Sequence, residues 1–308
     1  MYNEEHEATG RKMFKSSHIG TCDDISYMRA LVKVAHPGPP YHESIPNRMY
    51  MPDPGRPVLW QASDLYPGHV YTQQQYANVL DQPHFRNWWV MGNEQDLPFG
   101  STPAATPTEF RDAVIQNMRE ALSVIPGTIN GVDEVVSTFK RRFFLSGGSR
   151  HGPDSDWTRQ MLLAFQENSY TQSYLAYFDS LAVNYYNTPT ISAPDLLTWL
   201  RGVHDILTLV GLNNWTVFLK EVGVPISSPY GSTERSAAQG EAVDFIEDYF
   251  TRVTSQKQQG RLGWLEGTGW FAATDMGALG MYYAPLYRDS GIYTRAGTHW
   301  LNYPVRVG

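Results

Sequence analysis

The chain has 308 residues, 42% of them apolar and 18% charged. That balance fits a compact protein with a large core, and the length is ordinary for one (β/α)8 barrel without a second domain. The formal net charge of −7 gives no electrostatic reason for a polyanionic partner, the single cysteine Cys22 excludes an internal disulfide, and no stretch approaches the roughly 18 apolar residues of a membrane span.

Residues 1–15 are charged and lack a continuous apolar run, so no signal peptide is expected there. Secretion and a cytoplasmic location both stay open. Short apolar runs rich in β-branched and aromatic residues then recur, and they read as strands near 16–21, 31–35, 58–62, 88–91, 142–145, 181–184, 217–220 and 269–272. The second is followed by a loop over 37–57 that holds seven prolines.

Amphipathic segments separate the strands. Thr106-Pro107-Thr108-Glu109 has a capping-box layout, and Phe110, Val114, Met118, Ala121, Leu122 and Ile125 follow on one helical face until Pro126-Gly127. A second helix opens at Ser192-Ala193-Pro194-Asp195, turns Leu196, Trp199, Leu200, Val203, Ile206 and Leu207 inward, and ends near Gly211. A third starts near Glu234 with Ala238, Ala242, Phe245, Ile246, Tyr249 and Val253 as its buried stripe. Strands alternating with helices imply parallel crossovers. Eight such units predict an α/β protein built as a single (β/α)8 TIM barrel over residues 1–308.

Two of the apolar runs close on a glutamate, Trp88-Trp89-Val90-Met91-Gly92-Asn93-Glu94 and Trp215-Thr216-Val217-Phe218-Leu219-Lys220-Glu221. Carboxylates at the C-terminal ends of barrel strands sit where such folds carry chemistry. A pair of them supplies what cleavage of a glycosidic bond needs, one acid and one nucleophile. Asn93 offers an amide for a sugar hydroxyl next to the reacting centre. Trp270, Trp60 and Trp264 offer indole faces to a pyranose ring, and His36 ends the second strand at the same rim. Aromatic residues at several rim positions suit a β-linked oligo- or polysaccharide. Lys220, adjacent to Glu221, is expected to face the other side of its strand in a structural role.

These motifs resemble the large clan of (β/α)8 retaining glycoside hydrolases. Gly92-Asn93-Glu94 matches its Gly-Asn-Glu signature at strand four. Glu221-Val222-Gly223-Val224-Pro225 is similar to its Glu-x-Gly-x-Pro signature at strand seven, and Trp270 falls on strand eight. The segment from Gly291 to Trp300 is similar to the Thr-x-x-Gly stretch that opens the final helix in several of the clan's families. The resemblance spans Trp88 to Trp300 and singles out no one family. It implies Glu94 as acid/base and Glu221 as nucleophile, acting by double displacement through a covalent glycosyl-enzyme. Two departures stand out: Gln95-Asp96 replaces the usual Pro after the acid/base, and Asn184-Tyr185-Tyr186 replaces a His-x-Tyr on strand six. Tyr185 or Tyr186 is then the candidate to hold the nucleophile's carboxylate.

Rival readings lack comparable support. A metal hydrolase on this fold calls for histidine-rich strand ends, and the chain has no His-x-His and no His-Glu-x-x-His, so neither a metal nor a cofactor is expected. A Schiff-base aldolase using Lys220 leaves Glu94 unexplained. The alternative from a different class is a catalytically silent carbohydrate-binding barrel. The partner expected is a carbohydrate, with no nucleic acid and no membrane, and the sequence leaves the oligomeric state open.

Overall fold

Six apolar runs pair side by side in a single parallel sheet: β1 (Pro57–Ala62), β2 (Arg86–Met91), β3 (Arg141–Ser146), β4 (Phe178–Tyr185), β5 (Thr216–Val222) and β6 (Leu265–Trp270). The chain's structure is a computed structural model that describes residues 57–62, parts of 65–73, 86–98, 103–123, 141–148, 155–185, 192–224, 232–270 and 294–302. Spatial order follows sequence order, and every neighbouring pair is parallel. All six C-terminal ends therefore lie along one edge of the sheet. Both faces of such a sheet are covered, which is why the strands read as continuous apolar runs.

β1 to β6 correspond to the third through eighth expected strands. The first two, near 16–21 and 31–35, lie outside the described residues, as does the proline-rich loop except for Pro57, which opens β1. The last strand differs from expectation. It is Leu265–Trp270, beginning four residues before the expected 269–272. Leu-Glu-Gly-Thr-Gly-Trp has weak strand propensity of its own, but pairing with β5, from Val217 opposite Leu265 to Val222 opposite Trp270, overrides it.

Helices α1 (Pro107–Ser123), α2 (Ser155–Phe165), α3 (Ser169–Leu175), α4 (Ala193–Leu209), α5 (Ser232–Gln258) and α6 (Arg295–Asn302) complete the described elements. The capping box of α1 forms in full. Glu109 Oε2 accepts from the Thr106 N–H at 2.8 Å, and Thr106 Oγ1 accepts from the Glu109 N–H at 3.2 Å. Such a cap contributes about 1 kcal/mol and fixes where α1 leaves the loop after Glu94. Phe110, Val114, Met118 and Ala121 are buried as the spacing predicts.

Ser192 caps α4 by accepting from the Asp195 N–H, and the whole expected stripe from Leu196 to Leu207 is buried. In α5 the six stripe residues from Ala238 to Val253 are buried too. The pair α2 and α3 was not among the expected helices; Met161, Leu162 and Phe165 bury one face of α2, and Asn168 caps α3 by accepting from the Thr171 N–H. Thr294 opens α6, its Oγ1 accepting from the Gly297 N–H at 3.0 Å, so the Thr-x-x-Gly stretch works as a helix cap.

Candidate active site

Glu94 lies three residues past the end of β2, and Glu221 sits within the last two residues of β5. Both belong to the C-terminal edge of the sheet. The turn that carries Glu94 has two backbone peculiarities. Gly92 has φ +99°, and a Cβ there would lie 2.5 Å from Phe110 Cζ on α1 and 2.7 Å from Gln95 Oε1. Only glycine meets both demands. Glu94 itself has φ +54°, the one described non-glycine residue in left-handed conformation. The buried Gln95 holds this conformation by accepting through Oε1 from the Asn93 N–H and through its backbone carbonyl from the Ala105 N–H at 2.7 Å, while the Glu94 carbonyl accepts from the Leu97 N–H at 2.9 Å. Backbone strain held this firmly clusters at functional sites.

The side chains around the two glutamates form one connected group. Asn184 on β4 donates from Nδ2 to Glu94 Oε1 at 3.1 Å and to Asn93 Oδ1 at 3.3 Å. Its register partner on β5 is Glu221. Lys220 donates to Asn93 Oδ1, and its Nζ lies 3.5 Å from Glu221 Oε1. Asn184, Lys220 and Glu221 are at most 4% exposed, whereas Glu94 is only half-buried. Asn184 Oδ1 meets no donor among the described residues, which leaves a buried acceptor at the site. Burial pushes the Lys220 ammonium below the ordinary lysine range, and the neighbouring charges of Glu221 and then Glu94 oppose that shift.

The placement of Lys220 corrects the expectation that it faces away. Strict alternation assumes an unbroken ladder. Here the β4–β5 register passes from Val183 opposite Leu219 directly to Asn184 opposite Glu221, and the β5–β6 register is also broken between Leu219 and Val222. Lys220 is the residue both ladders skip. A bulge of this kind re-aims a side chain, so two successive residues reach the same site. The signal available in the sequence is a lone lysine inside the buried run Val217-Phe218-Leu219.

Other expected site residues fall differently. Tyr185 is buried with its ring 5.1 Å from that of Trp199 on α4, so it packs between sheet and helix. The β4 residue that bonds Glu94 is Asn184. Trp264 precedes the N-terminal end of β6 and stacks on His204 of α4, ring centroids 4.5 Å apart at 14°. That is the edge opposite Glu94 and Glu221, which corrects the expectation that Trp264 offers its indole face to the substrate. Trp270 closes β6 opposite Val222, and Trp60 lies in β1. The side chains of Trp60 and Trp270, and His36 and Tyr186 altogether, lie outside the described residues.

Among the described residues, no group of three or more His, Cys, Asp and Glu side chains is placed to hold a metal ion. Among the same residues, no helix is long and apolar enough to cross a membrane.

No protein-family model matches the sequence, and no curated protein matches it. Solved structures do match in fold. One is a GH128 (subgroup III) curdlan-specific exo-β-1,3-glucanase from Blastomyces gilchristii in complex with glucose, at 12% identity, covering 96% of this chain and 98% of that one with a TM-score of 0.50. A GH128 (subgroup VI) exo-β-1,3-glucanase from Aureobasidium namibiae matches at 11% identity over 80% of this chain and 76% of that one, TM-score 0.49. A glucosidase from Croceicoccus marinus matches at 14% identity and a TM-score of 0.48 over 79% of this chain; the match spans 49% of the glucosidase, about half its length. The likeness to the Blastomyces gilchristii structure, which extends over nearly the whole of both chains, is one of fold.

Proposed function

We propose that the chain is a retaining glycoside hydrolase acting on a β-linked oligo- or polysaccharide, built as a single (β/α)8 catalytic domain over residues 1–308. The observation that carries this reading is the linkage of Glu94 and Glu221 through shared neighbours. Asn184 bonds one and stands in register with the other, while Lys220 contacts Glu221 and holds Asn93 beside Glu94. Two carboxylates on one rim, one of them paired with a buried cation, form the asymmetric pair that double displacement uses.

In this mechanism Glu94 protonates the glycosidic oxygen as the bond to the anomeric carbon breaks, and Glu221 attacks that carbon to form a glycosyl ester. Glu94, now ionised, takes a proton from water, which attacks the same carbon and returns Glu221 as a carboxylate. The half-buried position of Glu94 suits a group that must meet leaving alcohol and water in turn. Asn93, with its oxygen committed to Lys220 and Asn184, keeps its N–H groups for a sugar hydroxyl oxygen. Among the described residues the buried Asn184 oxygen has no donor, a role that a sugar hydroxyl would fill.

A Schiff-base role for Lys220 fits less well, since its nitrogen is engaged with Asn93 and Glu221 and is almost wholly buried. A panel of aryl glycosides and dyed polysaccharides, run on wild type and Glu221→Gln, tests the reading. Turnover by wild type that the variant loses, with the first-formed sugar retaining its anomeric configuration by proton NMR, supports it. Sugar binding without turnover of any glycoside favours the silent carbohydrate-binding barrel. Inversion overturns the double displacement.

A further inference from the structure

We propose that Lys220 is the positioning residue of this site: its ammonium locks the Asn93 carboxamide in one orientation and holds Glu221 as the ionised member of the carboxylate pair. The inference deepens the glycosidase reading and takes its chemical purpose from it.

The first half follows from hydrogen-bonding capacity. A lysine ammonium has donors and no acceptor, so the Asn93 atom it bonds must be the oxygen. Asn184 Nδ2 reaches the same oxygen at 3.3 Å. Two donors on Oδ1 fix the amide against a flip. Asn93 is then a pure donor towards anything bound at the site, selective for a substrate oxygen there.

The second half follows from charge. Lys220 is a buried cation that acts on both carboxylates. Glu221 lies 3.5 Å from Lys220 Nζ. The interaction of Lys220 with Glu94 is the weaker of the two. A buried cation this close to a buried carboxylate favours the carboxylate's ionised form. Lys220 therefore favours the ionised form of Glu221, the carboxylate nearer its nitrogen. An ionised Glu221 is what attack in the first displacement step needs.

Few other charges intervene among the described residues. On its own strand Glu221 has only Lys220 as a charged neighbour, and the turn after β2 contributes Glu94. On β4 the facing residue is the neutral Asn184, Tyr185 packs on Trp199, and Asp179 lies at the strand's beginning. On β6 the one ionisable residue is Glu266, which accepts from Thr216 Oγ1 at the far end of β5. The bulge that delivers Lys220 to this position costs ladder pairing in both neighbouring strands. A lysine serving only to fill space gains nothing from that interruption.

The test follows the Glu221 carboxyl directly. Protein labelled with 13C at the glutamate carboxyl is titrated by NMR, and the Glu221 signal is the one lost in Glu221→Gln. In Lys220→Met the Glu221 midpoint should rise by about 1–3 pH units, and Lys220→Arg should return it towards wild type. If Lys220→Met does not fold, Lys220→Gln removes the charge while keeping a donor for Asn93 and should show the same rise. An unmoved midpoint in a folded neutral variant overturns the proposal, as does a Lys220→Arg midpoint equal to that of the neutral variant. No turnover enters this measurement. A moved midpoint in a protein that hydrolyses no glycoside sinks the hydrolase reading and leaves the charge assignment standing, and an active enzyme with an unmoved midpoint does the reverse. Where turnover is present, the acidic limb of kcat/KM should move up with the carboxyl midpoint.

Discussion

Asn184 donates to Glu94 at 3.1 Å while standing opposite Glu221 in the β4–β5 register. A single neutral side chain thereby ties the half-buried carboxylate to the strand that carries the buried one. The tie matters because Glu94 sits in a turn, not in the sheet, and a misplaced acid loses much of the rate that orientation supplies.

Asn184→Ala removes the hydrogen bond that orients Glu94 and should lower kcat/KM on an aryl glycoside roughly 10- to 100-fold. Asn184→Asp should be worse, since it places an anion beside Glu94 and next to Glu221. Circular dichroism checks that both variants fold. Equal activity of Asn184→Ala and wild type would show that the tie has no catalytic role.

The two glutamates should separate by leaving group. Glu94→Ala should cripple glycosides with poor leaving groups while sparing activated aryl glycosides in the first step, and added azide should restore turnover. Glu221→Gln should lose at least about a thousandfold in kcat while still binding substrate. A 2-deoxy-2-fluoro glycoside should label wild type on Glu221, read by peptide mapping. A label on Glu266 or Asp275, or loss of both substrate classes together in Glu94→Ala with no azide response, contradicts the roles.

Gly92 carries the stability prediction. Gly92→Ala meets a left-handed φ and the Phe110 ring at once, and it should destabilise the fold by about 1–3 kcal/mol in urea titration. Because the strain pushes on the turn holding Glu94, activity should fall in the folded protein too. Adding Phe110→Leu to the variant should recover part of the loss by relieving the contact, leaving the backbone share of the cost.

The features visible in the sequence were the local and periodic ones. Thr106 and Glu109 satisfy each other across one helical turn, so four letters suffice to place the start of α1. The stripes of α4 and α5 need only a period. Residues whose position depends on a neighbouring strand were harder to read. Lys220 is at the site because two ladders skip it, and no single-strand pattern reports that. Asn184 stands opposite Glu221 because of the β4–β5 register, and Trp264 lies at the far edge because β6 starts at Leu265. The left-handed Glu94 is foreshadowed only by the glycine two residues before it.

The stacked pair His204 and Trp264 gives a pH prediction away from the site. Burial pushes the His204 imidazole below its ordinary value, and the charge of the adjacent Asp205 only partly offsets this. The folded chain therefore holds this histidine neutral at a pH where the unfolded chain, titrating near about 6.5, has begun to bind a proton. Since the unfolded state then binds more protons, stability falls as pH falls. The contribution is present in full above the unfolded value and disappears as pH drops through the lowered folded one. His204→Phe removes the titration and keeps a ring against Trp264. Between pH 7.5 and pH 5 the wild type should lose more stability than this variant, measured as the shift in urea midpoint at constant slope. Trp264→Phe, at the opposite edge from Glu94 and Glu221, should lower stability without raising KM. An equal pH response in wild type and His204→Phe would show that the imidazole titrates alike in both states. A KM raised severalfold by Trp264→Phe would place that indole in contact with substrate after all.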